Sequence, residues 1–159
     1  MDIRDTALRF LANRDRTCRE VREHLIGKGF DERDAIALTQ ELKDWNYIND
    51  RSYAEKYFRY AGRKGRSVYR MKQELLQKGI AASDLEEALH LWEEEEGSLV
   101  QRDIREARRE ALKINGGVAA DEKTAARIGR RLGSLGYSAE LIYKVLEECR
   151  KGRLEDGTD

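Results

Sequence analysis

Proline is missing from all 159 residues. Its rigid ring is the commonest helix breaker, so helices here can be ended only by glycine and by polar caps. Cysteine is almost as scarce. Cys18 and Cys149 form no CxxC and no ladder, which excludes a disulfide scaffold and the usual zinc knuckles. The two histidines, His24 and His90, sit about 66 residues apart on charged segments and are read as solvent-facing or structural. No apolar run reaches the ~18 residues of a membrane span, and no N-terminal apolar run suggests a signal peptide. A cytosolic protein with reduced thiols is expected. Gly62-Arg-Lys-Gly65 has the spacing of neither a Walker loop nor GxGxxG. Acidic residues are plentiful, but no pair lies in the apolar setting that acid–base chemistry needs. Cys18 shares a repeat column with Val68 and Ala125, and Cys149 continues the stripe Leu141, Val145; both are read as core residues. The expectation is therefore a protein that is not an enzyme and holds no metal and no cofactor.

What is present is charge and helix-forming residues. Charged side chains make up 39% of the chain, against about 25% in an average domain. Leu, Ala, Glu, Arg and Lys dominate, so the chain reads as helix nearly throughout. Net charge is zero, from 31 basic and 31 acidic residues, but the signs are segregated. Residues 51–80 carry 9 basic and 2 acidic residues, and residues 81–100 carry 7 acidic and none basic. Either neighbouring helices pair these charges, or the surface is dipolar and meets partners of both signs.

A repeat organises the rest. Val21–Phe30, Met71–Ile80 and Ile128–Tyr137 superpose without a gap, with Leu25/Leu75/Leu132 and Gly29/Gly79/Gly136 invariant. A fixed-period repeat implies one supersecondary unit copied in tandem, and such arrays present a long surface to a partner. Nine helices follow, in three three-helix repeats at 1–48, 49–96 and 97–151, with a polar tail at 152–159. Thr17-Cys-Arg-Glu20 is a capping box, and Ser67 and Thr124 fall in the same cap column. Asn49-Asp50 offers a cap for the fourth helix, and Asp31 and Ser138 cap the third and ninth. The seventh helix is expected at 99–113. The invariant glycines should supply positive φ.

One window combines six basic residues and two tyrosines without an acid, from Arg59 to Lys72. That mixture suits a phosphate backbone or an acidic protein groove. Arg59, Arg63, Lys64, Arg66, Tyr69, Arg70 and Lys72 are its candidate binding residues. Arg102, Arg105 and Arg109 share a helix face by i, i+3, i+7 spacing, and Arg127, Arg130 and Arg131 lie on the next helix, extending the strip. The plainer account makes these ordinary solvated charges, some paired with Glu93–Glu96.

The stretch Tyr47-Ile-Asn49-Asp50-Arg-Ser-Tyr53-Ala54-Glu-Lys-Tyr57, then Lys64-Gly65, then Glu74-Leu75-x-x-Lys78-Gly79-Ile80, resembles the core signature of the bacterial RecX regulatory proteins. The resemblance covers about residues 5–150. It implies an all-α fold of three tandem three-helix repeats in an elongated, curved array. It implies as partner the RecA filament on single-stranded DNA, occupied in its helical groove. Filament growth would be blocked or disassembly promoted, lowering ATP hydrolysis, strand exchange and co-protease activity. A monomer is expected. A helical-repeat module binding DNA or RNA directly is the alternative.

Overall fold

The computed structural model describes residues 1–154; the end of the expected tail, 155–159, lies outside the described residues. Among the described residues every regular element is a helix: α1 (Ile3–Asn13), α2 (Cys18–Gly27), α3 (Glu32–Asp44), α4 (Asp50–Arg63), α5 (Val68–Gln77), α6 (Ala82–Glu96), α7 (Leu99–Asn115), α8 (Glu122–Ser134) and α9 (Ala139–Arg150). The fold is an all-α helical repeat array. No helix among the described residues is long and apolar enough to cross a membrane.

Local chemistry accounts for most helix boundaries. The capping box at α2 is complete: the Thr17 hydroxyl accepts from Glu20 N, and the Glu20 carboxylate accepts from Thr17 N. Asp31 and Ser138 cap α3 and α9. Asn49 caps α4 by accepting from Ser52 N at 3.0 Å, and Ser67 caps α5 by accepting from Arg70 N at 3.1 Å. In all three repeats the second helix ends alike. The carbonyls of Leu25, Leu75 and Leu132 accept from the N–H groups of Phe30, Ile80 and Tyr137, across glycines at φ +96° (Gly29), +89° (Gly79) and +92° (Gly136).

The third repeat departs from the expected pattern in three places. Helix α7 runs two residues past Lys113, to the left-handed Gly116. Thr124 is not a cap: α8 starts earlier, at Glu122, and Thr124 N donates to the true cap, Asp121, at 2.8 Å. The start of the polar tail packs onto the fold. Arg153 N donates to the Glu148 carbonyl at 2.9 Å, and Leu154 is buried in the core of α7, α8 and α9.

The chain divides by contact into two compact units: unit 1 is residues 1–58 and 73–91, and unit 2 is residues 59–72 and 92–159. The division passes through α4, α5 and α6 rather than between repeats. Unit 1 packs α1, α2 and α3 around Ala7, Val21, Leu25, Leu38 and Leu42. His24 lies flat on Phe10, ring centroids 3.8 Å apart. Unit 2 packs α7, α8 and α9 around Ala107, Ile128, Leu132, Val145 and the buried Cys149. Cys18 is only partly buried at the edge of the unit 1 core.

Each unit contains a joint between successive second helices. In unit 1 the start of α2 meets the end of α5: the Thr17 hydroxyl donates to the Lys78 carbonyl at 2.9 Å and Arg19 to the Gln77 carbonyl at 3.3 Å. In unit 2 the start of α5 meets the end of α8: Ser67 N donates to the Leu135 carbonyl at 2.9 Å and Arg70 to the Ser134 carbonyl at 2.5 Å. Gln77 and Ser134 occupy one repeat column, as do Lys78 and Leu135. Helix C-terminal carbonyls lack intrahelical donors and favour cations, so both joints satisfy the same orphan groups.

Candidate partner-binding surface

All thirteen candidate residues fall in unit 2. The division sharpens the charge pattern: unit 1 has 12 basic and 16 acidic residues, net −4, while unit 2 has 19 and 15, net +4. The candidates do not form one strip. They sort into a pinned turn, two grooves and a buried anchor.

The anchor is Arg102, and it corrects the sequence expectation. Arg102 is 2% exposed and cannot meet a partner. Its guanidinium donates to the Gly62 carbonyl at 2.8 Å, the Arg66 carbonyl at 2.7 Å and Asp103 at 2.8 Å, and lies 5.2 Å from the Trp92 ring. Burying an arginine is tolerable only when its donors are answered, and here one α4 carbonyl, one turn carbonyl and a carboxylate answer them. Spacing on α7 placed Arg102 with Arg105 and Arg109 correctly, but it carries no information on depth.

Arg102 helps to pin the turn from Gly62 to Ser67. The Tyr137 hydroxyl donates to the Gly65 carbonyl at 2.5 Å, and burial pushes its phenol well above the usual range. The Asp103 carboxylate accepts from Val68 N at 3.3 Å. Burial raises the Asp103 carboxyl, opposed by the Arg102 guanidinium and the Val68 N–H. Gly65 has φ +83°, and a Cβ there would overlap the Glu110 carboxylate, so a larger residue would be strained and would displace Glu110. From this turn Arg63 and Lys64 project into solvent, Lys64 lying 5.6 Å from the Tyr60 ring. Tyr60 and Tyr69 are 58% and 67% exposed. Arg66 and Lys72 are half-buried, and Arg70, though exposed, is committed to the joint.

The first groove, about 490 Å3, has Arg59, Arg63, Arg105 and Arg109 on its walls and Trp92 and Arg102 among its lining. Carboxylates thread it. Arg59 grips Glu95 through two hydrogen bonds of 2.6 and 3.1 Å, Arg105 lies 3.5 Å from Glu96, and Arg109 lies 3.4 Å from Glu106. The Arg59 hydrogen bonds hold the Glu95 carboxyl below its ordinary range. Pairing between the basic and acidic blocks is thus real at this groove.

The second groove, about 560 Å3, lies between α7 and α8. Lys113 from α7 and Arg127, Arg130 and Arg131 from α8 line it, with Ile114 and Glu110. Glu110 is 4% exposed and holds Lys113 at 2.9 Å and Arg131 at 3.6 Å. Sequence reading missed Lys113 and Glu110; the i, i+3 pair Glu110–Lys113 was the signal that could have found them. Among the described residues no group of three or more His, Cys, Asp or Glu side chains could hold a metal ion.

Comparison with known proteins gives a consistent result. The family described as RecX, first three-helix domain, matches residues 4–42, and RecX, second three-helix domain, matches residues 49–89. The regulatory protein RecX of Halorhodospira halophila is 31% identical over 141 residues, covering 88% of this chain and 83% of the relative. That of Vibrio parahaemolyticus is 32% identical over 143 residues, covering 90% and 88%. The crystal structure of RecX from Lactobacillus salivarius aligns with a TM-score of 0.69 at 25% identity, over 91% of this chain and 92% of that one.

Proposed function

The chain belongs to the RecX family of regulatory proteins, and on that premise we propose that it restrains the RecA recombinase. It binds the RecA filament on single-stranded DNA, in the helical groove, and lowers ATP hydrolysis, strand exchange and co-protease action by blocking growth or promoting disassembly. It works as a cytoplasmic monomer, without chemistry of its own.

The observation that carries this reading is the match to both RecX three-helix domains in tandem, at residues 4–42 and 49–89. The charge pattern supports it. A nucleoprotein filament offers phosphates and protein surface together, and this chain has a unit of each sign. The test is ATP hydrolysis by RecA preassembled on single-stranded DNA, at moderate salt, before and after adding the protein. A progressive fall at substoichiometric protein is expected. No change, alongside tight binding to bare DNA, would move the assignment to a direct nucleic-acid binder, for which the exposed Tyr60 and Tyr69 offer stacking surfaces.

A further inference from the structure

The two grooves of unit 2 differ in what an approaching anion meets. In the first, four arginines face Glu95, Glu96 and Glu106, and three of the four already have a carboxylate within 3.5 Å. A phosphate entering there must displace those carboxylates and is repelled by them. In the second, Lys113, Arg127, Arg130 and Arg131 face a single carboxylate, Glu110. That carboxylate is buried beneath the cations it holds, Lys113 and Arg131. Arg127 and Arg130 have no acidic partner among the described residues. Four cations against one covered carboxylate leave a larger uncompensated positive field in the second groove than in the first.

Glu110 adds positioning. It is wedged against the Gly65 turn, so it is fixed from behind and orients Lys113 and Arg131 in front. Arg127, Arg130 and Arg131 follow i, i+3, i+4 spacing along α8, a short row that a flexible backbone can track. Ile114 gives the groove an apolar contact for sugar or base.

We propose that the groove between α7 and α8 is the binding site for the phosphodiester backbone of single-stranded DNA, with Lys113, Arg127, Arg130 and Arg131 on phosphates. The carboxylate-laced first groove then meets protein of mixed charge. This deepens the filament reading and rests on it for the source of the DNA.

The test uses the full chain and a fluorescent oligothymidylate, with binding followed by anisotropy over a salt series. Each phosphate contact to single-stranded DNA contributes about −0.7 to the slope of log K against log salt. The triple change Arg127→Gln, Arg130→Gln, Arg131→Gln should shrink the slope by about 2 and weaken binding by on the order of tenfold at moderate salt. Lysine at the same three positions should restore most of the slope. Arg63→Gln, Arg105→Gln, Arg109→Gln should shift the slope by less than about 1. Equal losses from both triple variants, or a larger loss from the first groove, would overturn the assignment. So would failure of the unsubstituted protein to bind the oligonucleotide at low salt, or displacement of the oligonucleotide by polyglutamate at comparable concentration, which would mark the groove as a protein site. RecA ATP hydrolysis, run in parallel, tests the filament reading separately: inhibition without oligonucleotide binding sinks only the groove assignment, and binding without inhibition sinks only the filament reading.

Discussion

Units 1 and 2 solve one joint with different electrostatics. In each, a carboxylate from the following repeat caps the incoming second helix: Asp50 accepts from Cys18 N at 2.9 Å in unit 1, and Asp103 accepts from Val68 N at 3.3 Å in unit 2. Burial raises both carboxyls. Asp103 shares its charge with the buried Arg102, whereas Asp50 has no guanidinium in hydrogen-bonding reach among the described residues. The backbone requirement is thus common to both joints, while the charge that meets it is particular to each. A joint can keep its geometry while the units that contain it differ in charge, here net −4 and +4.

The largest expected effect breaks that comparison at the anchor. Arg102→Ala leaves the Gly62 and Arg66 carbonyls unanswered and strips the half-buried Asp103 carboxylate of its guanidinium, and should cost ~3–5 kcal/mol. Asp50→Ala removes a cap without stranding a charge and should cost ~0.5–2 kcal/mol. Urea unfolding of both variants measures the gap, and equal losses would mean the joints are electrostatically alike. Next come the cores. Leu25→Ala and Leu132→Ala remove fully buried side chains from one repeat column, one in each unit, and each should cost ~2–5 kcal/mol. Similar midpoint shifts are expected for the pair.

The glycines sharpen the joint itself. Gly29→Ala meets only the left-handed backbone, with open space around the new Cβ, and should cost ~1–2 kcal/mol. Gly79→Ala and Gly136→Ala add a collision, since the Cβ would lie 2.5 Å from Arg19 or Arg70. Both should unfold at lower temperature than Gly29→Ala.

The smallest effect concerns pH. A carboxyl raised by folding contributes stability that is full below its unfolded value, ordinarily 3.8 for Asp50 and Asp103, and lost as pH rises through the folded value. Glu95 and Asp121 are lowered, so their contribution holds above the ordinary value and fades as pH falls. Carboxyl NMR titration should place Asp50 and Asp103 above 3.8 and Glu95 below 4.5. Asp50 titrating below 3.8 would remove burial as the dominant influence.

The helices and their stops were legible because their causes are local. A hydroxyl three residues before a glutamate, or a glycine four residues after a leucine, acts within one turn. Thr124 misled because its column predicts a cap only if the helix start keeps its register, and Asp121 captured that start three residues earlier. Arg102 misled because a buried and an exposed arginine on one helix face share a spacing, and only the carbonyls of Gly62 and Arg66, distant in sequence, settle the difference. The basic candidates were gathered by composition, and their division between two grooves depended on the α6 carboxylates Glu95 and Glu96, which no local pattern assigns to Arg59 and Arg105. The compact units were not legible, because each is organised around hydrogen bonds such as Thr17 to Lys78 that span about a repeat length.

The pinned turn bears on the thermodynamics of encounter. A glycine-flanked basic loop ordinarily lies free, and a ligand that fixes it must meet the cost of ordering it, on the order of 1–2 kcal/mol per residue. Here Arg102, Tyr137 and Asp103 immobilise the backbone around Arg63 and Lys64 as the chain folds. Only the two side chains then have freedom left to lose at contact, so the turn is preorganised and association through it should need no prior loop closure.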